Sequence, residues 1–508
     1  MKRKIRKALV INKKNKKMGV IQRQSIKQSL VNYIGVGIAA ISTIFIYPQD
    51  TETYGLARFI IDTSLMLVPF IMMGFSSVTI RYFPYFKSEE KGHHGFLFFL
   101  ILILSGGAIV FILFSFLFKD QFYNLYAEKP FIYQQFLPYL APLAILMAFL
   151  QLFYNYSSNF KRIAVLAIFQ NLIKISLPFL ILFFIWQYLS IEQVINGILV
   201  TFILALIGVI VYIYWLGQLK LKPDFSLFNK GKIKEIRGFA FYSFFSNFGN
   251  VLAFRIDMFM VPTLLDFKEN GIYAIALFIA GAIAIPTNAI TQISGPIVAE
   301  SLKNNDLVHV KQLYQSSSIN LLVVGLLLFV CIMVSIEDLF SIMPKNEELT
   351  DGLVIVFLIG LAKIIDMATS INNQIINYSK YYRFGFYAIL LMAAFNITAN
   401  LILIPKFQII GAAVATLLSL SIYNLVKMIF IHWKFKIQPF TWNTLWVLLI
   451  AVGAYGIGIL IPATEIAILD ILLKSVVIGS VYSLLVYYLK ISEELNNMLD
   501  KFLKRLRE

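Results

Sequence analysis

The sequence predicts an all-α polytopic integral membrane protein with about 14 transmembrane helices, arranged as two six-helix repeats and two C-terminal helices. Three observations carry this reading. Hydrophobic residues fill 59% of 508 positions and only 14% are charged, roughly half the charged share of a soluble domain. Apolar runs long enough to cross about 30 Å of hydrocarbon recur fourteen times. Lys and Arg collect in alternate connections between those runs.

The runs lie at about 26–48, 57–83, 96–118, 136–156, 163–186, 191–216, 239–264, 271–294, 315–336, 352–377, 384–405, 409–431, 443–462 and 467–489. The first follows a basic start, but it is about 23 residues long with no small-residue cleavage site behind it, so it reads as a span and not as a signal peptide. Residues 1–17 form a basic, low-complexity extension that would bind anionic lipid, and Met18 opens a stretch that would serve equally well as a start.

Orientation follows from the basic residues. The N-terminal tail holds eleven, Lys2 through Lys27, and no acid. Even-numbered spans are followed by Arg81, Lys87 and Lys91; by Lys161 and Arg162; by Lys220, Lys222, Lys230, Lys232, Lys234 and Arg237; by Lys303 and Lys311; by Lys380 and Arg383; and by Lys434 and Lys436. With Lys490, Lys501, Lys504, Arg505 and Arg507 in the C-terminal tail, 33 fall on one side, against five on the other: Lys119, Lys129, Lys268, Lys345 and Lys406. The richer side is the cytoplasm, and an even number of crossings puts both tails there. The net charge of +17 is therefore topological, and no nucleic-acid partner is expected. Outer connections are short and acidic, the longest being about 15 residues around Glu337, Asp338, Glu347, Glu348 and Asp351.

The fourth span ends in Asn155, Tyr156 and Ser157, followed by Phe160 and Lys161. The tenth ends in Asn377, Tyr378 and Ser379, followed by Tyr382 and Arg383, an offset of 222. Near the starts of the second and eighth spans, Gly55 follows Asp50 and Glu52 while Gly271 follows Asp266 and Glu269, an offset of 216. These marks divide the chain into a basic tail at 1–25, a six-helix lobe at 26–216, a basic linker at 217–238, a second lobe at 239–431, accessory helices at 432–489 and a tail at 490–508. Six is even, so both repeats enter from the same side and their symmetry axis runs along the membrane normal. Two such bundles facing a central cavity suit alternating access, with Pro69 and Pro286, offset by 217, as candidate hinges.

Ionisable side chains at bilayer depth are functional candidates. The cations are Arg58, Lys174, Arg255 and Lys363, and the acids are Asp62, Asp257 and Asp366. Arg58 and Asp62 are four apart and Lys363 and Asp366 three apart, so each couple shares a helix face. Arg255 and Asp257 point in different directions, and Asp257 needs a partner on another helix or a proton. No acid lies three or four residues from Lys174, and the 222 offset maps it onto Asn396. The seventh span is polar along one side through Ser243, Ser246, Asn247 and Asn250. Four cations against three acids suit an anionic ligand such as a phosphate or diphosphate.

Catalytic signatures are missing. His93, His94, His309 and His432 form no metal-ligating pair, the single cysteine Cys331 lies in an apolar run, and no phosphate-cradling glycine loop occurs. Neither a cofactor nor a metal is expected, and a membrane glycosyl-transfer enzyme is the least favoured reading.

The twelve-plus-two layout resembles the Wzx-type polysaccharide flippases of the multidrug/oligosaccharidyl-lipid/polysaccharide (MOP) exporter superfamily. So do Gln24, Ser25, Ile26 and Lys27 before the first span, Tyr54 and Gly55 after it, and Ile256 and Asp257 followed by Gly271, Ile272, Tyr273 and Ala274. The resemblance implies a transporter, not an enzyme, moving a polyprenyl-diphosphate-linked oligosaccharide across the bacterial cytoplasmic membrane for O-antigen, capsule or exopolysaccharide assembly. By it, Arg58, Lys174, Arg255 and Lys363 would be cavity cations, and Asp62, Asp257 and Asp366 charge partners or sites of H+ or Na+ coupling. Membrane lipids, and glycosyltransferases or a polymerase of the same pathway, would be partners. The alternative within the superfamily is a cation-coupled multidrug antiporter.

Overall fold

The computed structural model describes residues 27–497 and 500, except 29, 128, 161–163 and 465. The expected N-terminal tail at 1–25, the basic pair Lys161 and Arg162, and the tail from 501 onward lie outside the described residues. The described chain is helical throughout, with no strand among the described residues.

Among the described residues, twelve helices are long and apolar enough to cross a membrane. One of them, Tyr382–Phe435, has 54 residues and breaks at Gln408 (φ 55°, ψ −139°), at the 406–408 gap between the expected eleventh and twelfth spans. At 1.5 Å per residue, each half is long enough to cross the bilayer. Lys230–Leu264, with 35 residues, falls outside the twelve because Ser, Asn, Arg and Asp dilute its apolar content. Counting Tyr382–Phe435 twice and adding Lys230–Leu264 would raise the twelve to fourteen.

The helices form two compact units. The first comprises Met1–Ser42 and Leu56–Val251, the second Thr43–Gly55 and Leu252–Glu508. We label the main helices α1 (Leu30–Gln49), α2 (Thr51–Met72), α3 (Phe75–Phe86), α4 (Phe96–Leu117), α5 (Leu140–Ser158), α6 (Leu172–Ile185), α7 (Ile191–Trp215), α8 (Lys230–Leu264), α9 (Phe267–Gly281), α10 (Ile285–Lys303), α11 (Leu307–Val334), α12 (Thr350–Thr369), α13 (Asn372–Tyr378), α14 (Tyr382–Phe435), α15 (Trp442–Ile459) and α16 (Ala467–Tyr488).

Several expected spans are broken, and the breaks have local causes. The second is split between α2 and α3 at Met73 and Gly74, both with positive φ. A Cβ on Gly74 would lie 2.0 Å from the Ala240 carbonyl oxygen, so only glycine lets the two backbones approach there. The fifth span breaks at Asn171, and the eighth passes through a 3-10 turn at Ala282–Ala284 just before Pro286. Since the break in the second span follows Pro69 and that in the eighth precedes Pro286, the two interruptions are not at equivalent positions. The tenth breaks at Ser370 (φ 45°, ψ −114°), between α12 and α13.

In the first unit, the basic connection expected at 217–238 is tied down over its first half. Tyr156 donates from its hydroxyl to the Gln218 carbonyl at 3.0 Å, His93 Nε2 pairs with Gln218 Oε1 at 2.8 Å, and His94 meets Asp224 at 3.2 Å. The Phe228 ring stacks on Phe86 at 4.6 Å. Its second half is helical, because α8 begins at Lys230, nine positions before the expected span start at 239.

In the second unit, α2 and α9 start in the same way. Asp50 caps α2 by accepting from Thr53 N at 3.0 Å, and Asp266, 216 residues later, caps α9 by accepting from Glu269 N at 2.8 Å. One turn on, the backbones touch. A Cβ on Gly55 would lie 1.7 Å from the Phe267 carbonyl oxygen, and one on Gly271 would lie 1.9 Å from that of Thr51. Phe267 and Thr51 are themselves 216 apart, so the contact is reciprocal about a local two-fold. Asn270 Nδ2 seals it by donating to the Gly55 carbonyl at 2.7 Å.

The accessory helices α15 and α16 pack on α11. Val447, Ala451, Ile478 and Tyr482 join Leu322 and Leu326 in one buried apolar cluster, and the Tyr482 hydroxyl donates to the Val323 carbonyl at 3.0 Å. Lys474 on α16 pairs with Asp338, in the turn after α11, at 2.6 Å.

Candidate functional site

The first unit holds three of the seven ionisable candidates. On α2, Arg58 bridges to Asp62 at 2.7 Å, one turn away as the spacing predicts; the arginine side chain is 31% exposed and the carboxylate 1%. Lys174 lies on α6 three residues past the break at Asn171, half-buried, and its ammonium makes no hydrogen bond or ion pair among the described residues. Asn171 itself is held by donating from Nδ2 to Asn32 at 3.0 Å. An apolar cavity of about 330 Å³ in this unit, lined by Phe111, Phe114, Phe122, Leu137 and Pro138, contains none of the candidates.

The other four lie in the second unit. Asp257, on α8, is buried and makes no ion pair among the described residues. Its carboxylate accepts from the Tyr273 hydroxyl of α9 at 3.1 Å, from Asn400 Nδ2 at 2.7 Å, and from the Thr416 hydroxyl, the last two on opposite sides of the Gln408 break in α14. Asn400 also donates to Asn396 Oδ1 at 2.9 Å, and Asn396 donates to the Ala253 carbonyl at 3.3 Å. The position that matches Lys174 by the repeat offset is therefore a strut of the Asp257 cluster. The Asn400 Oδ1 is buried and has no hydrogen-bond partner. One carboxylate held by two hydroxyls and an amide NH2, with the Asn400 Oδ1 on the same amide, is chemistry for a proton or, with those oxygens turned inward, a hard monovalent cation. Among the described residues no three His, Cys, Asp or Glu side chains converge as a metal set. Arg255, two positions from Asp257, is half-buried.

The expected pairing of Lys363 with Asp366 does not form. No ion pair joins them, and the ammonium of Lys363, half-buried on α12, has no hydrogen bond among the described residues. Asp366 instead accepts from Asn424 Nδ2 of α14 at 3.0 Å. Helix spacing alone placed the two residues on a common face, but a carboxylate takes the donors that packing offers, and here they come from the neighbouring helix.

That neighbouring helix carries a cation outside the sequence candidates. Lys427 is fully buried at 0% exposure. Its ammonium donates to Asn372 Oδ1 and Asn373 Oδ1, each at 3.1 Å, and sits 3.6 Å from the centre of the Tyr423 ring. Asn424 Oδ1 accepts from Thr369 at 3.0 Å and from Asn372 at 3.2 Å. Lys427 and Lys474 are the two basic residues that fall neither in the connections nor among the candidate cations. The signal that could have found Lys427 is plain, a lysine four positions inside the end of an apolar run. Its partners, more than 50 residues away in sequence, have no signal of that kind.

Comparison with known proteins now places the chain. Residues 25–302 match the family described as polysaccharide biosynthesis protein. A probable low-salt glycan biosynthesis flippase, Agl15 of Haloferax volcanii, is 24% identical over 56% of this chain and 59% of its own length. The uncharacterized membrane protein MJ1068 of Methanocaldococcus jannaschii is 35% identical over 22% of this chain and 23% of its own. The chain thus spans less than two thirds of either relative. In fold, it is similar to the lipid II flippase MurJ in an inward closed conformation, with a TM-score of 0.68, 16% identity and coverage of 92% of this chain and 99% of that one. It is also similar to an inward-facing multidrug resistance MATE family transporter of the MOP superfamily, with a TM-score of 0.61, 11% identity and coverage of 80% and 94%. The chain is a multi-pass membrane protein that belongs to the polysaccharide biosynthesis protein family and has the fold of the MOP exporter superfamily.

Proposed function

We propose that this protein is a flippase that moves a polyprenyl-diphosphate-linked oligosaccharide from the cytoplasmic to the outer leaflet by alternating access. The observation that carries the reading is the state of Lys174 and Lys363. Both are half-buried within membrane-spanning helices, and neither has an acidic partner among the described residues. An unpaired ammonium at bilayer depth is costly unless a ligand compensates it, and a diphosphate is such a ligand. Arg58, already bridged to Asp62, retains less charge for a substrate. Arg255 completes the proposed set of cavity cations.

Asp257 is the proposed coupling site for H+ or Na+, with Asp62 and Asp366 in lesser roles as charge partners. The same buried acid supports a second reading, a cation-coupled multidrug antiporter, since a coupling site serves either cargo. The proposed setting is the cytoplasmic membrane, with both tails on the cytoplasmic side, from the distribution of Lys and Arg. Both relatives named above are archaeal, so the proposed membrane is that of a prokaryotic cell, bacterial or archaeal. Glycosyltransferases or a polymerase of the same pathway are the proposed protein partners.

Replacing Lys174 and Lys363 together by Glu should cause lipid-linked oligosaccharide to build up in the inner leaflet of cells that depend on this protein. Full surface polysaccharide in the double variant would overturn the reading. Drug profiling of a deletion strain separates the cargoes, since hypersensitivity without glycolipid build-up would favour the antiporter.

A further inference from the structure

The tenth span breaks at Ser370, whose backbone is in a region that a residue with a side chain rarely adopts. Two residues of α14 hold both sides of that break. Asn424 takes Asp366 and Thr369 before it and Asn372 after it. Lys427, one turn further on, takes Asn372 and Asn373. Among the described residues the only oxygens that the Lys427 ammonium touches are neutral amide oxygens, and Asn372 and Asn424 link it in turn to the Asp366 carboxylate. A buried ammonium with no compensating charge nearby would cost several kcal/mol. Asp366 is thus joined through two amides to Lys427 and by no ion pair to Lys363.

We propose that Lys427 is the counter-charge of Asp366 and acts as a positioning residue, holding the carboxylate on Asn424 so that Lys363 keeps an uncompensated charge for the anionic part of the substrate. The inference rests on the transport reading for its second half only. Its first half concerns which lysine balances Asp366. Sequence spacing offers Asp366 a near partner in Lys363, three residues away on one helix. The clamp across the break removes that option by supplying Asn424 as donor and Lys427 as charge. In this arrangement two lysines compete to balance one acid, and only the one sealed inside the protein is used.

Two experiments on the full-length protein separate the halves. The first is a double-mutant cycle of Lys363→Met and Asp366→Asn read by thermal unfolding. In the otherwise native chain the two shifts in Tm should add. In a Lys427→Met background they should not, because Asp366 is then drawn to Lys363. Coupling already present in the native background, or additivity in both backgrounds, overturns the proposal. If Lys427→Met does not fold, Lys427→Gln, which keeps a donor for Asn372 and Asn373, replaces it.

The second is flipping of a diphosphate-linked glycolipid in proteoliposomes. Lys427→Met should lower the rate about 10- to 100-fold, the equivalent of one hydrogen bond to a charged group. Adding Asp366→Asn should restore it, which a purely structural role for Lys427 would not do. A folded double variant that stays inactive overturns the proposal. Unchanged flipping in Lys363→Met alone instead overturns the transport reading, and the thermal cycle still decides which lysine balances Asp366.

Discussion

Gly55 and Gly271 offer the sharpest test of the packing. Replacing Gly55 by Ala puts a methyl group 1.7 Å from the Phe267 carbonyl oxygen, whereas ordinary contacts begin at 3.4 Å. The obstacle is backbone, with no flexible end to turn aside, so α2 and α9 must move apart at the crossing. Overpacking of this kind costs about 1–3 kcal/mol. Separation also weakens the hydrogen bond from Asn270 to the Gly55 carbonyl, 2.7 Å long, worth about 1 kcal/mol more. Gly55→Ala should thus destabilise the purified protein by about 2–4 kcal/mol. Gly271→Ala should cost a similar amount, with its methyl 1.9 Å from the Thr51 oxygen. Because one separation relieves both clashes, the double variant should lose clearly less than the sum. Thermal unfolding in detergent reads all three, with Gly106→Ala as the internal control, since a Cβ there meets nothing within 4 Å. A Gly55→Ala protein as stable as the Gly106→Ala protein would refute the reciprocal crossing.

Other consequences follow from single contacts. Asp257→Asn places an amide donor among the donors of Tyr273, Asn400 and Thr416, so it should cost about 1–3 kcal/mol of stability and abolish dependence of transport on an H+ or Na+ gradient; a variant that still responds to the gradient would remove Asp257 from coupling. Asp338→Asn leaves Lys474, only 11% exposed, without its 2.6 Å partner and should lower stability by about 1–3 kcal/mol in a thermal melt, with no shift if the tie is idle. The Asp224 carboxyl is held below its usual range by hydrogen bonds from the Ser226 backbone and side chain and then by His94. A depressed value means that its contribution is complete above the ordinary Asp pKa of about 3.9 and is lost as pH falls through the folded value. Protection factors in the 218–228 segment, which remove the pH dependence of intrinsic amide exchange, should therefore match at pH 7 and 5 and fall only in stronger acid. Lower protection already at pH 5 would contradict that anchoring.

The architecture was legible because the bilayer leaves few options. A chain that is 59% hydrophobic, with apolar runs of about twenty residues, must cross as helices that satisfy their own backbones. The repeat was legible at Asp50, Gly55, Asp266 and Gly271, since a cap and a close crossing each demand a particular residue type. The breaks at Met73, Ser370 and Gln408 were less so, because non-glycine residues at positive φ are imposed by packing and not by local preference. At the candidate site, Arg58 and Asp62 followed helix spacing as expected. Lys363 and Asp366 did not, because the deciding donor Asn424 sits more than 50 residues away. The donors to Asp257 were hidden for the same reason, with Asn400 and Thr416 lying 143 and 159 residues away from it.

The proposed transport step has unpaired lysines in membrane-spanning helices draw in a diphosphate so that the attached saccharide crosses the membrane. Its most direct test is flipping in proteoliposomes of a fluorescent polyprenyl-diphosphate saccharide, scored by the exposure of its sugar to an external lectin, with the native protein and with Lys174→Met combined with Lys363→Met. The account predicts time-dependent exposure with the native protein and a loss of about 100-fold or more in the double variant, as expected for losing two hydrogen bonds to a charged group. Equal flipping by the two proteins would contradict it.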